Sequence, residues 1–92
     1  MSHLSKSKTK LIARVRRLKG QLEAIERALE AEEPCGVVLN QVASVRGAMS
    51  GLTAELIEDH IRNHVSDPDQ DDDPERARAA AELIDVMRIY LK

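Results

Sequence analysis

Four residues of this chain have side chains suited to binding a metal ion: His3, Cys35, His60 and His64. They are all of its histidines and its single cysteine. Thiolate sulfur with imidazole nitrogens is a donor set for first-row transition metals. His60 and His64 lie in the stretch EDHIRNH, four residues apart, and so share one face of a helix. Taken singly, each has a plainer reading. A lone cysteine commonly packs as a small apolar group. A histidine pair at this spacing is often a surface coincidence, and a histidine at position 3 often belongs to a tail. The question is whether the fold gathers them.

The composition limits that fold. With 92 residues the chain makes one small domain, residues 1–92, and one copy alone has a thin core. Tyr90 is the only aromatic residue, Pro and Gly are sparse, and a third of the residues are charged. That balance favours an all-α fold over a sheet sandwich. No apolar run approaches the ~20 residues of a membrane span, and the N-terminus lacks the apolar core of a secretory signal. A single cysteine excludes an internal disulfide framework and fits a reducing cytoplasm.

Three helices follow from the apolar spacing, at about residues 5–31, 36–65 and 75–91, with an acidic linker over 66–74. In the first, Leu11, Val15, Leu18, Leu22, Ile25 and Leu29 alternate steps of four and three, an a/d seam. Ser5 is its candidate N-cap, and Pro34 ends it. The second repeats the pattern with Val38, Val42, Val45, Met49, Leu52 and Leu56. The third opens at Pro74 and carries a stripe of Ala80, Leu83, Met87 and Tyr90, broadened by Ile84 and Leu91. Two long helices and a short one cannot cover the second seam, so the chain is expected to dimerise into a helical bundle.

Dimerisation also answers the question about the four residues. Twenty-five residues of helix put Cys35 and His60 ~37 Å apart within one chain. If the second helix pairs antiparallel with its own copy, residues equidistant from the centre meet. The midpoint of Cys35 and His60 falls between Gly47 and Ala48, in RGAMSG, where small residues permit close approach. Cys35 of one chain then meets His60 and His64 of the other, twice per dimer. His3, on a short N-terminal arm, and the terminal amine could close over the same site.

The net charge of −2 conceals an asymmetry. Residues 1–20 carry Lys6, Lys8, Lys10, Arg14, Arg16, Arg17 and Lys19 and no acid, whereas SDPDQDDDPE carries six acids and no base. The basic block suggests a polyanion partner. No pocket, nucleophile–base pair or cofactor loop is evident, so the chain is not expected to be an enzyme.

The stretches RVRRLKGQLEAIERALE, EEPCGVVLNQVASVRGAMSGL and ELIEDHIRNH, with the final YLK, resemble the CsoR/RcnR/FrmR family of metal- and formaldehyde-responsive bacterial repressors, over nearly the whole chain. The resemblance implies a disc-shaped tetramer, a dimer of dimers, on an operator with inverted repeats around a G/C tract. It implies DNA contacts from Arg14, Arg16, Arg17 and Lys19, with Arg46 on the second helix, and release of DNA by the effector. Binding through phosphates and groove shape is expected, since no finger or recognition-helix motif is present. Within the family, copper sensors place a second cysteine where this chain has His64, which disfavours copper(I) here. Nickel and cobalt sensors use a histidine at position 3, the cysteine and two histidines, matched by His3, Cys35, His60 and His64. The resemblance thus implies a repressor of a metal efflux operon relieved by Ni(II) or Co(II). Zn(II) or copper is one alternative effector. Formaldehyde is another, with Cys35 as nucleophile; sensors of that branch carry an acid at position 64.

Overall fold

The structure is a computed structural model that describes residues 8–91. His3, Lys6 and the Ser5 cap lie outside the described residues. Within them the chain is all-α: α1 is Lys8–Glu30, α2 is Cys35–His64 and α3 is Pro74–Tyr90.

The turn between α1 and α2 sets the register of everything that follows. Glu32 adopts the left-handed conformation, φ 53°, which is uncommon for a residue with a Cβ. It closes α1: the Glu33 amide donates to the Ala28 carbonyl at 2.9 Å and the Glu32 amide to that of Leu29 at 3.1 Å. Pro34 follows and α2 starts at once, with no side-chain cap on its first turn. The two helices then run back to back. Residues equally far from Glu32 and Glu33 face each other, as Gln21 and Ser44 do through a 3.3 Å hydrogen bond.

Each predicted seam is divided between two jobs. On α1, Leu11 and Leu18 are buried and Ile25 half-buried against α2, while Val15, Leu22 and Leu29 are exposed. On α2, Val38, Val45 and Leu52 are half-buried, while Val42, Met49 and Leu56 are exposed. Alternate seam positions therefore close the hairpin, and the others form exposed columns at seven-residue steps.

On α3 the expected stripe is displaced. Ala80 and Ile84 are buried with Ile61, and Ile57 and Met87 pack around them. Ile84, read from the sequence as peripheral, is the most buried residue in this cluster, and Leu83 and Tyr90 are exposed. The cause is that α3 touches only α2, so a narrow stripe suffices. Arg88 adds a fork onto Glu58, 2.9 Å to each oxygen, and Arg62 reaches the same carboxylate at 3.1 Å.

The acidic segment is more structured than a solvated linker. Asp73 caps α3, accepting the amides of Glu75 at 3.0 Å and Arg76 at 3.4 Å, with Pro74 in the first turn. Arg62 bridges Asp67 and Asp69, and Arg76 grips Asp71 at 2.6 and 2.8 Å. The Arg76 guanidinium foremost, then the Ser66 hydroxyl and the Asp73 amide, hold the Asp71 carboxyl well below the usual carboxylate range. Its folded value lies below its unfolded one. Ionised Asp71 therefore favours the folded chain at neutral pH, and that contribution is lost as pH falls below ~4 towards the folded value. Melting temperatures recorded from pH 7 to pH 2 should drop in acid. Asp71→Asn should melt lower at pH 7 and drop less steeply; parallel curves would count against this assignment.

The result is a plate 57 × 28 × 13 Å, little more than one helix deep. Its six exposed column residues are 38–60% accessible. Covering them would contribute roughly 5–10 kcal/mol per chain, comparable to the whole stability of a small domain.

Candidate effector site and DNA-facing surface

Cys35 is the first residue of α2 and its side chain is exposed. His60 and His64 occupy the last two turns of the same helix, both exposed, with ring centroids 4.8 Å apart. The structure thus brings the two imidazoles together. It leaves Cys35 a helix length away, ~37 Å, and among the described residues no three His, Cys, Asp or Glu side chains converge. His3 lies outside the described residues.

The placement of the three is nevertheless not scattered. Cys35, Val42, Met49 and Leu56 form one column at seven-residue steps, and His60 sits one turn beyond Leu56. Sulfur and imidazoles therefore mark opposite ends of one exposed apolar column of α2. The small residues at its midpoint take no part in that column. Gly47 projects from the opposite side of the helix from Val45 and Met49, with open space where a Cβ would be. Gly51 faces Arg14, whose Nη1 lies 3.0 Å from the position of a Cβ. The column residue nearest the midpoint between Cys35 and His60 is Met49.

The basic block also divides. Arg16, Arg17 and Lys19 on α1 and Arg46 on α2 are exposed and have no acidic partner among the described residues. Arg16 and Lys19, with Lys8, rim an apolar groove of ≈ 580 Å³ floored by Leu11, Ile12, Val15, Leu52 and Leu56. Arg14 is different. Its Nε lies 2.7 Å from Glu55 of α2, and Lys10 Nζ lies 3.2 Å from the other oxygen. Sequence reasoning missed Glu55. The signal was present in the hairpin register, because Lys10 and Glu55 stand equally far from the turn, as do Arg14 and Gly51.

Changing Arg16, Arg17 and Lys19 together to Ala should leave helix content intact and weaken operator binding at least a hundredfold near 0.1 M salt. Each lost phosphate contact should flatten the slope of log K against log salt by about 0.9. An unchanged slope would remove these three side chains from the DNA contact.

A helical hairpin with an unpaired basic face and a cysteine–histidine donor set on one helix defines a class. A family model described as metal-sensitive transcriptional repressor matches residues 7–89, and the chain belongs to that family. Its members are repressors, not enzymes; the family implies operator DNA as partner, self-association and a metal effector. An uncharacterized protein in the bioA 5′ region of Serratia marcescens is 47% identical over 92 residues, the full length of both chains. The transcriptional repressor RcnR of Citrobacter koseri is 35% identical, again over the full length of both. Among solved structures, a glutamate-to-histidine variant of the formaldehyde-responsive regulator FrmR from Salmonella enterica serovar Typhimurium superposes with a TM-score of 0.64 at 42% identity. That match covers 92% of this chain and 94% of the other. No helix among the described residues is long and apolar enough to cross a membrane.

Proposed function

We propose that this chain is a cytoplasmic repressor that holds an inverted-repeat operator with a G/C tract and releases it on binding nickel(II) or cobalt(II), so derepressing a metal efflux operon. The observation that carries the reading is the exposed α2 column with Cys35 at one end and His60 and His64 at the other. Antiparallel pairing of two such columns covers the apolar face and sets Cys35 of one chain beside the imidazoles of its copy. Pairing of these dimers gives the tetramer.

The donor set fits the ions named. One sulfur with two imidazoles, and His3 as a further nitrogen, suits borderline metals better than copper(I), which takes thiolates by preference. What a bound ion supplies is a bond between two chains that the side chains do not make by themselves. The protein does the rest. His60 and His64 are carried on the end of α2 that packs on α3 through Ile57 and Ile61. The preceding turns of the same helix pack on the basic helix α1, so a shift of α2 as a unit reaches Arg14, Arg16, Arg17 and Lys19. By reciprocity, a ligand that weakens DNA binding must itself bind the DNA-free form more tightly.

A second reading has its own support. The 42% identity to FrmR, together with an exposed Cys35, favours formaldehyde as effector and Cys35 as nucleophile. Fluorescence anisotropy of an operator duplex decides between them. Titration with nickel(II), cobalt(II), zinc(II) and formaldehyde should give release by nickel or cobalt at one ion per chain. Release by formaldehyde and by neither metal would overturn the first reading in favour of the second.

A further inference from the structure

Glu55 faces α1 from α2, and its side chain is only 17% accessible, yet it meets two cations whose own side chains reach into solvent: Arg14 at 40% and Lys10 at 69%. The hairpin is closed along its length by the apolar residues Leu11, Leu18 and Ala28, which are buried on α1. A carboxylate oxygen and a phosphate oxygen are alternative acceptors for the same N–H groups. With Nε 2.7 Å from a Glu55 oxygen and Nη1 beside the bare backbone of Gly51, the Arg14 guanidinium is held against α2 by an ion pair that competes with a phosphate for the same cation.

We propose that Glu55 is an internal stand-in for DNA phosphate, holding Lys10 and Arg14 in the free repressor and so setting how tightly the chain grips its operator. Its position also ties it to the effector end of α2, a point that rests on the function proposed above. Glu55 precedes His60 by about a turn and a half on the same helix. It looks towards α1, while His60 continues the exposed column. Movement of these turns towards a second copy carries the carboxylate with it and changes its hold on Lys10 and Arg14.

The test is read without any effector. Glu55→Gln removes the charge and keeps the shape. Operator affinity should rise about tenfold or more near 0.1 M salt, and the salt slope should steepen by up to about 1.8 per chain as two cations become available. In a Lys10→Gln, Arg14→Gln background the same change should do nothing. If Glu55→Gln does not fold by circular dichroism, Glu55→Asp, too short to hold both cations, should show a smaller gain of the same sign. Unchanged or weaker binding with an unchanged slope, in whichever variant folds, would overturn the proposal and leave Glu55 as a brace between helices. Failure of the wild-type protein to answer any metal would remove the effector reading and leave this result untouched.

Discussion

Cys35→Ala should give a repressor that stays on its operator at nickel or cobalt concentrations that clear the wild-type protein completely. Cys35 is exposed at the start of α2, so the substitution leaves no cavity and should not change the melting temperature or the effector-free DNA affinity. It removes the only thiol in the chain. Loss of a direct ligand should weaken metal binding beyond the ~10–100-fold that loss of an outer partner causes. The thiolate-to-metal charge-transfer absorption should vanish with it. The same variant should also be blind to formaldehyde, so His64→Glu separates the two effectors. Under the metal reading His64→Glu loses its response to nickel and cobalt. Under the other reading it retains release by formaldehyde. Normal release of Cys35→Ala by metal would take the cysteine out of the site.

Met49→Asp should take the assembly apart. Met49 is 47% exposed in one chain and central to the Cys35–Leu56 column. Pairing of two columns would bring both copies of the introduced carboxylate into an apolar contact with no cation opposite. Burying an unpaired charge costs several kcal/mol, and the two copies repel each other as well. Because the plate has so little interior, separation should carry unfolding with it. Light scattering should fall to the mass of one chain, and the cooperative thermal transition seen by circular dichroism should broaden or disappear. The comparison needs a wild-type protein that is an oligomer at micromolar concentration. A wild-type monomer with a sharp transition, or a Met49→Asp protein of unchanged mass, would refute the column as the interface.

The helices were legible because their signal is periodic and local. Seam steps of four and three located α1 and α2, and Pro34 and Pro74 marked where helices end and begin. What each seam position touches was not legible. Leu18 and Leu22 look alike in a heptad pattern, yet one is buried against α2 and the other awaits a partner, since only the third dimension separates them. Ile84 was undervalued for the same reason. The His60–His64 pair could be read from spacing alone, whereas the salt bridge between Arg14 and Glu55 needed the hairpin register, and the register depends on a Glu32–Glu33 turn with no glycine to announce it. The Asp71 network was hidden because acids in a run look solvated until Arg76 and Ser66 are seen to converge on one of them.

A chain only 13 Å deep has nothing to retreat into when parted from its copy. Under the proposed assembly, a swap of subunits between two finished complexes must pass through chains whose apolar side is bare, a state close to the unfolded ensemble. Exchange is then about as slow as unfolding itself. Two repressors of this build made in the same cell would stay sorted as they first met. Partner choice would fall at synthesis, and a hybrid, once formed, would last until it is degraded.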